Sequence, residues 1–230
     1  MREQISQGAD VIKFAATGGV NSNIAGGLNQ QMFADEMQVI VETAHMFGRK
    51  VAAHAHGKNG IEAALRAGVD SIEHGTFSDA ETNALFKKRN AWLVPTMVAP
   101  HAAYAQAKAG ARSLNTLRKA EEAMAIHNKN TTGAIRDGVR IAFGTDAGVY
   151  PHGDNAREFA VYVVEGMSPL VAMRSATLHA AELLGVNDRG AIATGLLADL
   201  VAVPGNPLED IRVTERPVFV MVGGVVVVGH

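Results

Sequence analysis

Four short segments each place a metal-seeking side chain at the end of a β-type run. They are Val11-Ile-Lys13-Phe-Ala-Ala-Thr-Gly, Val51-Ala-Ala-His54-Ala-His56-Gly, Ser71-Ile-Glu-His74-Gly and Ile141-Ala-Phe-Gly-Thr-Asp146-Ala-Gly. Each apolar run ends in Lys, His or Asp and then breaks at small residues, and helical stretches separate the four. In a parallel α/β barrel the C-terminal strand ends converge on one mouth, so side chains placed this way collect at one point. Imidazole nitrogens and carboxylate oxygens suit Zn²⁺ and related ions, whose chemistry is the activation of water against a carbonyl.

Taken singly, these residues have more than one reading. Lys13 lies mid-strand among Val, Ile, Phe and Ala, where a buried ammonium is costly. It is either a strand-edge lysine snorkelling to water or a lysine converted by CO₂ to a carbamate, an anionic bridging ligand. His54 and His56 share one side of their strand by the period-2 alternation, and Gly57 lets the chain turn His56 away. His74 and Asp146 complete the set. Asp146 is either an N-cap or a ligand that also takes a proton from bound water. His152, in Tyr150-Pro-His-Gly-Asp154, lies on the same presumed face and is a candidate substrate contact, as are His56, Asn21 and Ser22. His45, His101, His127, His179 and His230 fall on helical stretches or at the terminus and read as surface or packing residues.

The elements that must position this set alternate along the chain. Strands are expected at about 10–16, 50–55, 69–73, 91–96 and 139–144, with helices at 33–48, 58–67, 78–89, one long region at about 100–137, and a pair at 155–165 and 168–184. Apolar spacing near 3.6 and terminal glycines support the helices. The βαβ alternation argues for a parallel sheet with helices outside it. Residues 1–186 thus read as a partial (β/α) TIM-type barrel of about the last five strands. From residue 187 to 230 the texture changes to a turn-rich piece and strands near 198–203 and 217–229, with Gly223-Gly224 as a hairpin turn. These read as a small C-terminal β-sandwich remnant.

Composition narrows the function classes. A net charge of −2 gives no footprint for nucleic acid or an anionic membrane, and the absence of cysteine excludes disulfides, thiolate metal sites and Cys nucleophiles. No Walker or dinucleotide fingerprint is present. No apolar run reaches the length of a spanning helix, and the first residues lack a signal-peptide core. The expectation is a cytoplasmic protein acting on a small molecule, with no nucleic acid or membrane partner.

Together the motifs resemble the amidohydrolase superfamily, in the branch containing imidazolonepropionase-like proteins and metal-dependent Xaa-Pro dipeptidases. The matching pieces are Gly8-Ala-Asp-Val-Ile-Lys13, Arg49-Lys-Val-Ala-Ala-His54-Ala-His56-Gly, Gly68-Val-Asp-Ser-Ile-Glu-His74-Gly, Phe143-Gly-Thr-Asp146 and the tail from Gly190 through Ala198-Asp199 to Asp210-Ile. The resemblance implies a hydrolase with one or two divalent ions. Lys13 would be the carbamate ligand, His54 and His74 the ligands of the next two strands, and Asp146 the last ligand and general base. It further implies action on amide or peptide bonds of the Xaa-Pro dipeptide type.

The family's first-strand His-x-His pair has no counterpart before Lys13, since His54-Ala-His56 follows it. The chain is therefore expected to correspond to the C-terminal part of such a protein, as a fragment, a truncated product or a shortened variant. One metal position then lacks two ligands, while Lys13, His54 and His74 keep the other. An open barrel would favour a homo-oligomer. The alternatives are a single-metal promiscuous esterase or lactonase, and a non-catalytic remnant.

Overall fold

The computed structural model of the protein describes residues 1–20, 26–111 and 114–229. Five strands, β1 (Val11–Ala15), β2 (Lys50–Ala55), β3 (Ser71–His74), β4 (Trp92–Val94) and β5 (Arg140–Ile141), form one parallel sheet in sequence order. The outer sides of β1 and β5 carry no further strand among the described residues. A short helix α1 (Arg2–Ser6), not expected from the sequence, precedes β1 and buries none of its residues.

Helices α2 (Ala34–Met46), α3 (Lys58–Ala67) and α4 (Ala80–Arg89) link successive strands as the apolar spacing demanded. α3 stops at Gly68 and α4 at Asn90, both left-handed, and the Asp79 carboxylate caps α4 by accepting the Thr82 N–H at 3.0 Å. Their inner faces and one face of the sheet make the core. Val51, Ala53 and Ala55 of β2 are buried with Met37, Val41, Ile61, Leu65, Ile72 and Phe86, and Ile12 and Phe14 of β1 pack against them. Alternation then forces the intervening residues onto the opposite face. The register pairs Lys13 with Ala52, Ala15 with His54, and His54 with Glu73, so these side chains share one face of the sheet in two adjacent rows.

The region expected as one helix at 100–137 is broken. α5 (Val98–Gln106) runs into a wide turn at Ala107–Ala111, in which Gly110 has φ 79°, before α6 (Leu114–Arg136) begins. Gly110, free to adopt positive φ, is what breaks the helical run within that turn. β5 is shorter than the expected 139–144. Its ladder stops at Ile141 because the Phe143 N–H donates to the Ser175 carbonyl at 3.0 Å and not to a strand. The stretch at 168–184 likewise divides into α8 (Pro169–Ser175) and α9 (Leu178–Leu184), after α7 (Arg157–Val164).

A separate antiparallel sheet is made by β6 (Leu200–Ala202), β7 (Phe219–Val222) and β8 (Val225–Val228). Gly223 and Gly224, both at positive φ, form the two-residue turn between the last two. No helix among the described residues is long and apolar enough to cross a membrane.

Candidate functional site

At the C-terminal ends of the parallel strands lies a cavity of about 460 Å³, whose lining includes Lys13, His54, His56, His74 and Asp146. The ligand-capable nitrogens of His54, His56 and His74 lie within 4.8 Å of one another. Two donors bound at about 2.1 Å in a tetrahedron are roughly 3.4 Å apart. The cluster therefore has the dimensions of a metal site with its rings slightly relaxed.

Each imidazole is oriented through one ring nitrogen. His56 Nδ1 lies 2.8 Å from Thr76 Oγ1 and His74 Nδ1 2.7 Å from Thr96 Oγ1, while the Gly18 carbonyl accepts from the ring of His54. A hydroxyl or carbonyl on one nitrogen fixes the ring and leaves the other to face a common point. Burial holds His54 and His74 below the ordinary histidine range, and the neighbouring imidazoles and Lys13 push His74 further down. Neutral rings keep the lone pairs that a cation needs.

The backbone works to bring them in. Along β3, alternation would aim Glu73 and not His74 toward His54, because Glu73 is the residue in register with it. His74 instead adopts φ 75°, which swings its ring into the cluster, and Thr96 and Asp146 at the ends of the next two strands adopt φ 51°. Left-handed non-glycine residues are strained and gather at functional sites. Two motif glycines explain themselves by close approach. A Cβ at Gly57 would stand 2.4 Å from the Leu28 carbonyl oxygen, and one at Gly144 would stand 2.2 Å from Val94 Cγ1.

Lys13 resolves to an exposed position on the open face of β1, lining the cavity. Burial raises the carboxyl of Asp146 above the ordinary aspartate range, opposed by the charge of Lys13. His152 is exposed, outside the residues that line this cavity. Asn21 and Ser22 lie outside the described residues.

Glu73, Thr76 and Thr96 were missed by sequence reasoning; Glu73 joins the site through its register with His54, which no local signal gives. Its carboxyl is raised by burial and accepts from Ser71 Oγ at 2.6 Å. His127, taken as a surface or packing residue, is fully buried. Neither of its ring nitrogens makes a hydrogen bond of normal geometry, and the Pro95 carbonyl is the one polar group that offsets the burial. A second acidic group, Glu62, Asp79 and Glu81, surrounds Lys58 Nζ on the surface and is an ion network already supplied with its cation.

The profile described as "Amidohydrolase family" matches residues 1–227. Ochratoxinase of Aspergillus niger is 38% identical over 220 residues, covering 94% of this chain and 45% of that protein. Its crystal structure superposes with a TM-score of 0.86 at 36% identity, covering 99% of this chain and 53% of the other. A Xaa-Pro dipeptidase with methionine bound in its active site gives 0.95 at 41% identity, with coverages of 99% and 57%. A prolidase complexed with N-methylphosphonate-L-proline gives 0.92 at 33% identity, with coverages of 100% and 57%. The chain thus spans about half the length of the proteins it matches.

Proposed function

We propose, for a chain that belongs to the amidohydrolase family, that this cavity holds divalent metal, zinc in one or two ions, and serves hydrolysis of an amide or peptide bond in a small molecule. The observation that carries the reading is the convergence of three imidazoles whose outward nitrogens are already engaged. The likeness to Xaa-Pro dipeptidase, prolidase and ochratoxinase supports an amide-type bond, with Xaa-Pro dipeptides as the first substrates to try.

The donor set fits such an ion. His54 and His74 present neutral nitrogens, Asp146 an oxygen, and Lys13, once carried as a carbamate, an anion that would offset the cation's charge. When bound, the metal polarises the carbonyl and makes a water acidic enough to attack at neutral pH. Asp146 would take the proton from the attacking water and return it to the departing amine. His56, whose Nδ1 meets Thr76 Oγ1, would donate to the substrate carbonyl. Val20, Ala99, Pro100, Ala103 and Val149 give the substrate an apolar wall of modest side chains.

In the same reading the five strands are consecutive staves of a (β/α) barrel. The outer sides of β1 and β5, which carry no strand among the described residues, are where further strands, or a second copy of the chain, would add. Residues 187–230 form one side of a composite β-sandwich. The test is zinc content per chain alongside chelator-sensitive hydrolysis of Xaa-Pro dipeptides. His54→Ala and His74→Ala should each lower bound zinc, and equal content in both variants and the wild type would sink the assignment.

A further inference from the structure

The side chain of Glu158 is fully buried, and no cation pairs with it among the described residues. A carboxylate in that position is costly and needs strong compensation. It accepts the backbone N–H of Met97 at 2.5 Å and of Val98 at 2.9 Å. These are the first donors of α5, which helix geometry leaves without partners. Glu158 thus caps one helix from the side of another, α7.

The two pinned peptides directly follow Thr96. Thr96 is buried, adopts φ 51°, and closes its turn by accepting the Ala99 N–H at 3.2 Å. A β-branched residue rarely stays in the left-handed region unless its surroundings over-determine it. The hydroxyl of that residue is the group 2.7 Å from His74 Nδ1, and His74 is itself left-handed. We propose that Glu158 is a positioning residue for the site: by fixing the start of α5 it holds Thr96 in its left-handed turn, and through the Thr96 hydroxyl it sets the ring and tautomer of His74. The inference rests on the metal reading only for its affinity readout.

The test follows the His74 ring nitrogens by ¹⁵N NMR in the metal-free chain, and zinc affinity by competition with a chromogenic chelator. The comparison is made at pH 8, where Glu158 is ionised: Thr96→Val keeps the β-branch and removes the hydroxyl, Thr96→Ser restores the hydroxyl, and Glu158→Gln keeps the shape but cannot accept both N–H groups. Glu158→Gln and Thr96→Val should both move His74 from one tautomer toward an averaged pair and weaken zinc binding about tenfold or more, and Thr96→Ser should stay within about twofold of wild type. A folded Glu158→Gln with unchanged His74 shifts and zinc affinity overturns the proposal, since a purely structural cap would alter the melting temperature alone. Should Glu158→Gln fail to fold, unchanged His74 shifts in Thr96→Val overturn it equally. If the wild type binds no zinc yet the tautomer responds to both substitutions, the metal reading fails and the positioning role stands.

Discussion

The imidazole of His56 lies flat on that of His74, with ring centroids 4.6 Å apart and planes inclined by 6°, while His54 meets both rings edge-on at 4.8 and 4.7 Å. Burial disfavours a proton on His54 and on His74, and at His74 the two neighbouring imidazoles add to that.

The fold should therefore be acid-sensitive. Burial holds His54 and His74 below the usual histidine range, and it brings His127 down to about 4. Below pH 6.5 the unfolded chain takes up protons that the native chain refuses. Stability is thus present above pH 6.5 and is lost as pH falls toward the native values. For His127 the loss down to about pH 4 amounts to about 3 kcal/mol. Urea unfolding between pH 7.5 and 4.5 should show a shallower acid limb in His127→Leu than in the wild type; matching slopes would refute this.

Glu158 acts with the opposite sign. Burial raises its carboxyl to about 7 in spite of two N–H donors. The native chain keeps a proton that the unfolded chain releases near 4.5, so this contribution is complete below pH 4.5 and is lost as pH rises through about 7. The stability of the wild type relative to Glu158→Gln should fall by about 3 kcal/mol as pH rises across that window. A pH-independent difference between the two would count against the burial argument.

If hydrolysis is measured, Asp146→Asn should lower kcat by about 10²-fold or more with a smaller change in KM, because the amide cannot accept the proton. Lys13→Ala should be more severe, and small carboxylates added to the assay should restore part of the rate. Activity indifferent to both substitutions would have to arise elsewhere.

Gly144→Ala should destabilise the chain by about 1–3 kcal/mol, because its Cβ would meet Val94 Cγ1 at 2.2 Å. Val94→Ala in the same chain should recover part of that loss. Additive effects in the double-mutant cycle would show that the crowding lies somewhere else.

The chain should self-associate at micromolar concentration. Val225, Val226, Val227 and Val228 of the edge strand β8 are 69, 44, 63 and 48% exposed, and the outer side of β1 carries no strand among the described residues. Bare apolar edges recruit further strands. Light scattering should report dimers or larger species, reduced by Val225→Lys with Val227→Lys; a monomer throughout the concentration range would contradict this.

Much of the sheet was legible because its apolar runs and glycine stops are local signals. Val51-Ala-Ala-His54 announces a strand, and Gly223-Gly224 announces a hairpin. The ends of the strands were less so. Phe143 belongs to an apolar run, yet its N–H is claimed by Ser175 from a later helix, so the ladder stops two residues earlier. In the site, strand-end placement marked Lys13, His54, His74 and Asp146, and the cavity gathers them. The sign of φ at His74 was not legible, because it is fixed by contacts such as the Thr96 hydroxyl and not by residue type. Glu158 carries no sequence signature either, since a glutamate in the first turn of a helix ordinarily faces water. The break at Gly110 could have been anticipated from that glycine.

The rings of His54 and His74 stand 4.7 Å apart, close to the distance that separates neighbouring strands of any sheet, ~4.7–4.9 Å. β2 and β3 are such neighbours, so the spacing of these two candidate ligands is partly a property of the sheet that carries them. A change that splays or shears β2 against β3, even among the helices on the far side, would alter that spacing without touching either histidine.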